Sequence, residues 1–401
     1  MPFWWRSWLS WFLLRVHFRH NNSIENGFNS GNTKSGWSSM QVISSAPGRI
    51  CLFGEHQDYL GLPVIAMAVD LRFYIQYNPA PAGPYRIRTP DLAEKERSLD
   101  LHVDPVGDDY CWGIARVLMD EGFTLPSGGE FTFESKIPVR AGCSSSSAMS
   151  AAWLRLLLEI GEHPEKEKYI NDPVLCAQLV YRGEKELFQG AGGMMDQYTC
   201  YIGGLLHVYP DSGDLPYGVE ELPYPPGEIL LVDSGDPKDT QGVLSRAGDT
   251  ARKYVKDAVD SIPNFSLESS TLTYFDLFGG RLKDDRARMH VRNQIRNRDL
   301  CQDALRLLRH GPVEPGVLGA LFREEHEILA GTVGISTLKI DAHLGALRGE
   351  GSPGGKINGS GGGGTFFCVQ GSDPNRLEAY LQKRDLRYFP VHSEPGARIE
   401  S

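Results

Sequence analysis

A short segment of small residues, 137–147, leads directly into a long helical pattern. It reads Ile-Pro-Val-Arg-Ala-Gly-Cys and then four serines, after which apolar residues recur at helical spacing from Ala152 to Ile160. Small residues let a backbone approach a ligand closely, and a helix N-terminus presents free N–H groups and a positive dipole end to anions. The segment predicts a phosphate-binding turn or an ordinary serine-rich helix start. It is not a Walker A loop, because no Gly-Lys-Ser/Thr follows.

A second glycine-rich segment, residues 356–364, lies near the C-terminus and reads Lys-Ile-Asn-Gly-Ser-Gly-Gly-Gly-Gly. A strand-like apolar run, 366–369, follows at once. A flexible linker is the alternative interpretation, but a linker has no evident task inside a compact domain. Because glycine costs conformational entropy in an ordered fold, the run favours backbone packed against a ligand or another backbone.

Two further segments concentrate polar side chains between apolar stretches. The first carries Arg49, Glu55, His56 and Asp58, and a solvated loop is its alternative explanation. The second, residues 190–197, is a glycine-rich turn with one acid among apolar neighbours. Taken alone, this second segment favours a plain turn, so the functional prediction depends on all four segments together.

In their order along the chain, the four segments resemble the motifs of the GHMP kinase superfamily, and most closely those of the galactokinases. APGRICLFGEHQDY, with AVDL after it, is similar to the galactokinase signature, and PVRAGCSSSSA resembles the phosphate loop. GAGGMMDQY resembles the segment with the galactokinase catalytic acid, and KINGSGGGG, approached through residues 334–337, resembles the third motif. The resemblance spans about residues 42–370.

The resemblance implies an ATP-dependent kinase of a small molecule. Arg49, Glu184 and Asp196 are all present, which argues against a catalytically silent relative.

 

Asp196 is then the general base, or the group that orients the substrate hydroxyl, and Arg49 lies beside it and stabilises its charge. Phosphoryl transfer needs mainly positioning and charge neutralisation, so the implied set of residues is chemically sufficient. The resemblance implies that Ser146 and Glu184 hold Mg²⁺ and that the sugar contacts are Glu55, His56, Asp58 and Gly193. The contacts to ATP are Ala141, Gly142, Cys143, Ser144, Ser145, Ser146, Ser147, Gly359, Ser360, Gly361 and Gly362.

The sequence also departs from the galactokinase pattern. The third motif has four consecutive glycines, as in mevalonate kinases, and Arg140 and Ala141 stand where the second motif often has glycines. Against a mevalonate kinase, Arg49 replaces the lysine of that branch, and Asp58 suits a polyhydroxylated ligand. Three hypotheses stay open: a sugar 1-kinase, a galacturonate, glucuronate or mevalonate-type kinase, and a catalytically silent sugar- or nucleotide-sensing relative.

Composition and charge argue against several other classes. The chain of 401 residues, 41% of them hydrophobic, can bury one large or two ordinary cores. A net charge of -10 gives no basic surplus for nucleic acid, and no segment reaches the roughly 20 apolar residues that span a bilayer. Seven scattered cysteines without a Cys-x-x-Cys pair argue against a disulfide framework or zinc site. We predict a cytoplasmic monomer or homodimer.

The mixed order of strand and helix patterns favours an α+β fold over a doubly wound sheet. The resemblance implies the two-domain GHMP kinase fold, with an N-terminal half like ribosomal protein S5 domain 2, a ferredoxin-like C-terminal half, and the active site between them. Residues 210–227 are dense in Pro, Gly and Asp, which places the domains at 40–212 and 213–401. Residues 1–39 hold five of the seven tryptophans and are predicted to be a disordered or non-native leader.

Overall fold

The computed structural model describes residues 41–90, 95–138, 142–190, 192–211, 213, 216–236 and 240–401. Strands and helices are mixed along these ranges, so the α+β prediction is confirmed. The prediction of a leader at 1–39 and the nucleotide contact predicted for Ala141 lie outside the described residues. None of the helices in the described ranges has the length and hydrophobicity that crossing a lipid bilayer requires.

The described strands form two sheets. In chain order they are β1 (Val42–Phe53), β2 (Val64–Pro79), β3 (Tyr85–Arg88), β4 (Glu96–Leu99), β5 (Gly129–Ser135), β6 (Leu205–Pro210), β7 (Tyr217–Glu221), β8 (Ile229–Asp233), β9 (Gly355–Ile357), β10 (Thr365–Val369), β11 (Tyr388–Val391) and β12 (Arg398–Ile399).

The α-helices pack on these sheets and on one another. They are α1 (Tyr110–Asp120), α2 (Ser145–Ile160), α3 (Lys166–Ile170), α4 (Pro173–Tyr181), α5 (Met195–Ile202), α6 (Thr240–Ser261), α7 (Leu272–Phe278), α8 (Asp285–His310), α9 (Pro315–Ile328), α10 (Leu338–Gly349) and α11 (Pro374–Lys383).

The larger sheet has eight strands in the order β12-β1-β2-β5-β3-β4, with β6 paired to β2 and β7 paired to β6. Its neighbours run antiparallel except β3 and β5, which are parallel. The two longest strands, β1 and β2, are mostly buried, and α2, α5, α8 and α9 all contact β1. The strand that carries Arg49 therefore packs against helices that come both early and late in the chain.

The smaller sheet has four antiparallel strands in the order β11-β8-β10-β9. Side chains of β8 alternate between its two faces, as a strand requires: Leu230 and Val232 pack in one core cluster and Leu231 in another. Phe322 of α9 stacks on Phe53 of β1 at 4.8 Å between ring centroids and meets Phe367 of β10 at 5.1 Å. One apolar core therefore continues from the larger sheet to the smaller one.

The boundary at residue 213 stays a prediction. Two strands that follow it in sequence, β7 and β12, pair with strands of the larger sheet. The larger sheet thus contains chain from both proposed halves, and the smaller sheet only chain beyond residue 228.

The first motif begins inside a strand and not in a loop. β1 continues through Pro47, Gly48 and Arg49 to Phe53, with a shift of register against β2 between Pro47 and Gly48. Proline has no N–H to donate to a ladder, and an irregularity of this kind is where a sheet tolerates it. The apolar residues that follow Arg49 keep the strand buried, which the sequence-based alternative of a solvated loop did not anticipate.

The C-terminal tail closes the outer edge of β1. The backbone N–H of Glu400 donates to the Ile43 carbonyl at 2.8 Å, and β12 pairs with β1. The buried Arg72 of β2 donates to the carbonyls of Pro395 and Gly396, both at 2.8 Å, and to the carboxylate of Glu394 at 3.0 Å. Covered edges do not pair with other chains, so the tail both protects and anchors the sheet.

We expect Arg72→Met to lower the free energy of unfolding by about 1–3 kcal/mol, because it leaves partly buried carbonyls and the Glu394 carboxylate without the donors of Arg72. Urea unfolding measures the change. Arg88→Met is the matched control on the same sheet, since the exposed Arg88 pairs with Glu96 and Glu130 near the surface and such pairs contribute little. Equal effects of the two variants would contradict a structural role for the tail.

Candidate active site

An ion pair between Arg49 and Asp196 lies at the centre of the site. Arg49, in β1, is buried, and its Nε and Nη2 lie 2.7 and 2.6 Å from Asp196 Oδ1. Its Nη1 donates to the carbonyl of Gly142 at 2.6 Å. Asp196 stands in the first turn of α5 with 31% of its side chain exposed. The two residues predicted to act together are therefore in direct contact, and the carboxylate remains accessible.

The charges around Asp196 keep it ionised. Burial alone would raise its pKa, but the positive charges of Arg49 and Lys185 outweigh burial and hold the pKa of Asp196 below its ordinary value. The pKa of Arg49 is raised, because the charge of Asp196 outweighs the effect of burying the guanidinium. Both members of the pair are thus charged at neutral pH.

The predicted phosphate turn packs directly on β1. The backbone N–H of Arg49 donates to the Cys143 carbonyl at 3.1 Å, and a Cβ on Gly48 would lie 2.7 Å from that same oxygen. Gly142 and Ser144 adopt left-handed conformations, with φ of 74° and 56°, and α2 begins at Ser145. The first N–H groups of a helix have no partner within it, so the turn brings unpaired donors beside Arg49.

The glycine run is packed backbone and not a linker. Gly359 has φ of 77°, and a Cβ there would lie 2.6 Å from the Gly142 carbonyl. Gly361 has the same φ, and a Cβ there would lie 2.5 Å from the carbonyl of Ile335. Any other residue would therefore meet both steric contact and backbone strain at these positions. The run connects the phosphate turn to the segment before α10.

Asn358, which the sequence analysis did not single out, joins these pieces. It is fully buried, its Oδ1 accepts the N–H of Cys51 at 3.1 Å, and its Nδ2 donates to the Gly142 carbonyl at 3.2 Å. Arg49 donates to the same carbonyl. The position of Asn358 directly before the glycines was the only sequence signal that could have indicated its role.

The turn after β1 carries the predicted sugar contacts. His56 has φ of 60°, and its Nε2 donates to the carbonyl of Ser360 at 3.2 Å. The carboxylate of Glu55 is buried and accepts the N–H of Gly359 at 2.8 Å and a contact from Lys356 Nζ at 3.4 Å. Glu55 therefore faces the glycine run, so in this arrangement its carboxylate holds two motifs together.

Asp58 and Gly193 lie in direct contact. A Cβ on Gly193 would fall 2.2 Å from Asp58 Oδ2, so only glycine leaves room for that carboxylate. Burial and the negative charge of Asp196 raise the pKa of Asp58 to about 6. The half-buried Asp58 and the catalytic candidate Asp196 thus act on each other electrostatically, as two acids of one site do.

Glu184 lies in the π-helical turn Arg182–Glu186 that continues α4. Its Oε1 accepts from the Ser147 hydroxyl at 3.0 Å and its Oε2 from Gln197 Nε2 at 3.0 Å. The serine in contact is therefore Ser147, whereas Ser146, the predicted partner, is exposed. Ser147 belongs to the predicted nucleotide contacts, but Gln197 was missed.

The described residues contain no group of three or more His, Cys, Asp and Glu side chains placed to hold a metal ion. Mg²⁺ usually needs only one or two protein carboxylates beside substrate phosphates and waters. Burial raises the pKa of Glu184, and a nearby cation would favour its charged form. One carboxylate and serine hydroxyls at the start of α2 therefore fit the oxygen chemistry of Mg²⁺.

Comparisons with known proteins agree with this geometry. Residues 109–204 match the GHMP kinases N terminal domain, and residues 35–79 match the galactokinase galactose-binding signature. A mevalonate kinase of Thermococcus onnurineus is 26% identical, covering 82% of this chain and 89% of its own. A galactokinase of Streptococcus thermophilus (strain ATCC BAA-491 / LMD-9) is 24% identical, covering 86% of this chain and 89% of its own.

Solved structures share the fold. Galactokinase of Lactococcus lactis, complexed with galactose, superposes with a TM-score of 0.74 at 18% identity, covering 90% of this chain and 95% of that one. Mevalonate kinase of Methanococcus jannaschii gives 0.65 at 20% identity, covering 90% and 100%. The chain therefore has the GHMP kinase fold, with a match to the GHMP kinase N-terminal domain at residues 109–204, and GHMP kinases are ATP-dependent kinases of small molecules. Residues 35–79 match the galactose-binding signature, so the chain resembles the galactokinases in this segment.

We expect Arg49→Met to raise the pKa of Asp196, because the partly buried carboxylate then loses the cation that favours its charged form. In the unchanged protein the depressed pKa means that the ion pair stabilises the fold at neutral pH and loses this effect as pH falls through the pKa of Asp196. A carbon-13 NMR titration of labelled Asp carboxyls measures the shift, with Asp196→Asn to assign the signal. Arg116→Met, at an exposed pair, is the control; an unmoved Asp196 signal contradicts the electrostatic argument.

Proposed function

We propose that this enzyme transfers the γ-phosphoryl group of ATP to the anomeric C1 hydroxyl of a monosaccharide, with galactose or a close relative as the acceptor. One observation carries the proposal: the guanidinium of Arg49 contacts both the Gly142 carbonyl of the phosphate turn and the Asp196 carboxylate. A single cation thus connects the side where phosphates would bind to the side where a hydroxyl would be held. The galactose-binding signature over residues 35–79 supports the choice of acceptor.

Asp196 orients the acceptor hydroxyl and takes its proton as the phosphoryl group arrives. Its lowered pKa makes Asp196 a weak base but keeps its carboxylate ionised, so that it accepts hydrogen bonds at neutral pH. Phosphoryl transfer demands little proton removal early in the reaction, so orientation and charge are sufficient. Arg49 neutralises charge on the transferring group and holds Asp196 in place.

The nucleotide binds between residues 142–147 and residues 359–362. The helix start of α2 offers N–H groups to the phosphates, and the glycine run approaches them closely because it has no side chains beyond Ser360. Mg²⁺, when bound, neutralises phosphate charge; Glu184 holds it together with Ser146 or its neighbour Ser147, whose hydroxyl contacts Glu184.

The acceptor lies against His56, Asp58 and Gly193. A half-buried carboxylate beside an imidazole suits a ligand with several hydroxyl groups, and sites of this kind strongly reject analogues that lack them. A mevalonate-type kinase is the second candidate, favoured by the four consecutive glycines and by the mevalonate kinase relatives at similar identity.

We also propose that residues 40–212 and 213–401 are the two domains of the fold and that the enzyme acts in the cytoplasm as a monomer or homodimer. The smaller sheet supports the domain division, because all of its strands lie after residue 213.

A coupled assay of ADP release tests the function with galactose, other hexoses, arabinose, galacturonate, glucuronate and mevalonate. We expect Mg²⁺-dependent turnover of galactose or a close relative. Asp196→Asn, prepared in the same way, excludes a contaminating kinase and should lower kcat at least ~100-fold while ATP still binds. Turnover of mevalonate with none on any sugar would refute the sugar assignment.

We expect Gly193→Ala to lower kcat/KM for the acceptor about 10- to 100-fold, because the new methyl group displaces the Asp58 carboxylate and small misplacements in a site are costly. The KM for ATP should not change. Gly190→Ala in the same loop is the control, since its Cβ would meet nothing closer than the Lys185 side chain at 3.3 Å. Similar kinetics for the two variants would remove Asp58 from the acceptor site.

A further inference from the structure

The turn that carries His56 and Asp58 is held in an unusual conformation. Gly54 has φ of 85° and His56 has φ of 60°. A non-glycine residue in this region costs about 1–3 kcal/mol and keeps the conformation only where its surroundings enforce it. Backbone groups buried in such a turn need partners outside it. The contacts that enforce the turn therefore decide where its side chains point.

A single carboxylate oxygen accepts the two N–H groups at the start of this turn. Oε1 of Glu325, in α9, lies 3.0 Å from the N of Gly54 and 3.1 Å from the N of Glu55. Glu325 is 0% exposed. Two N–H donors that converge on one carboxylate form strong, directional hydrogen bonds, so α9 fixes the turn from outside the four motifs.

Buried charge around Glu325 is balanced by a buried cation. Lys356 Nζ lies 3.9 Å from Glu325 Oε1 and 3.4 Å from Glu55 Oε2, and Lys356 is itself fully buried. An unpaired carboxylate in such a place would be very costly. From α8, Asn297 Nδ2 donates to the backbone carbonyl of Glu55 at 3.2 Å. The turn is thus held by both α8 and α9.

We propose that Glu325 is a positioning residue for the acceptor substrate: its carboxylate oxygen fixes the turn at residues 54–57 and so directs His56 and Asp58 toward the acceptor. The proposal rests on the proposed function in one respect, the contact of His56 and Asp58 with the acceptor. The reach of the side chain, and not its charge, is the property that matters. Burial raises the pKa of Glu325 to about 7, so an uncharged group of the same length is compatible with the site.

Three substitutions separate reach from charge. Glu325→Gln keeps the length and an acceptor oxygen but removes the charge. Glu325→Asp keeps the charge but withdraws the oxygen by about 1.5 Å, one carbon–carbon bond, and Glu325→Asn is short and uncharged. The neighbouring Glu324 pairs with Arg296 on the surface, so Glu324→Gln, Glu324→Asp and Glu324→Asn are matched controls.

We expect Glu325→Asp and Glu325→Asn to raise the KM of the acceptor about tenfold, the effect of losing one or two hydrogen bonds, with the KM for ATP unchanged. Glu325→Gln should stay within about threefold of the unchanged enzyme in both constants. The three Glu324 variants should show no effect. Three outcomes would overturn the proposal. The KM of the acceptor could rise as much in Glu325→Gln as in Glu325→Asp, the KM values for acceptor and ATP could change in parallel, or no variant could change either constant.

Amide hydrogen exchange provides a readout that does not need turnover. Exchange of the peptide that spans residues 54–57 should be faster in Glu325→Asp and Glu325→Asn than in Glu325→Gln, and equal exchange in all three overturns the proposal. Failure of the proposed function is distinguishable, because it appears as absent sugar turnover in the unchanged enzyme. In that case the same variants are compared on whichever acceptor the enzyme does use.

Discussion

The arrangement of the site depends on the buried guanidinium of Arg49, which contacts the Asp196 carboxylate and the Gly142 carbonyl at once. A guanidinium presents several donors in a fixed plane, so each of its partners constrains the position of the other. Asn358 donates to the same carbonyl, and Gly359 can approach it only because it lacks a side chain. The strand, the predicted phosphate turn, Asp196 and the glycine run are therefore held together by Arg49 and by contacts to the Gly142 carbonyl oxygen.

The features that sequence reasoning found are those with a local physical signature. Glycines at 359 and 361 need left-handed backbone and close packing, the serines precede a strongly periodic helix, and β10 is a compact apolar run. These properties are visible without knowledge of the fold. The pairing of Arg49 with Asp196 followed from the resemblance to a family, since nothing in the residues between them indicates contact.

Other parts of the site could not be predicted, because they depend on distant elements. Glu325 lies on a helix whose sequence is that of an ordinary amphipathic helix, and only the fold shows that it is buried against Gly54 and Glu55. Ser147, and not Ser146, contacts Glu184 because helix rotation decides which hydroxyl faces inward. The family resemblance predicted a sugar contact for Glu55, whereas in the structure its buried carboxylate accepts the backbone N–H of Gly359 in the glycine run.

The packed rings of Phe53, Phe322 and Phe367 have a consequence for how ligands enter and leave. They join the two sheets through one apolar core, and close-packed cores resist deformation. Separating the two sheets would expose these rings to water at a cost proportional to their apolar area. The shared core therefore opposes ligand entry by separation of the sheets and favours the movement of smaller segments.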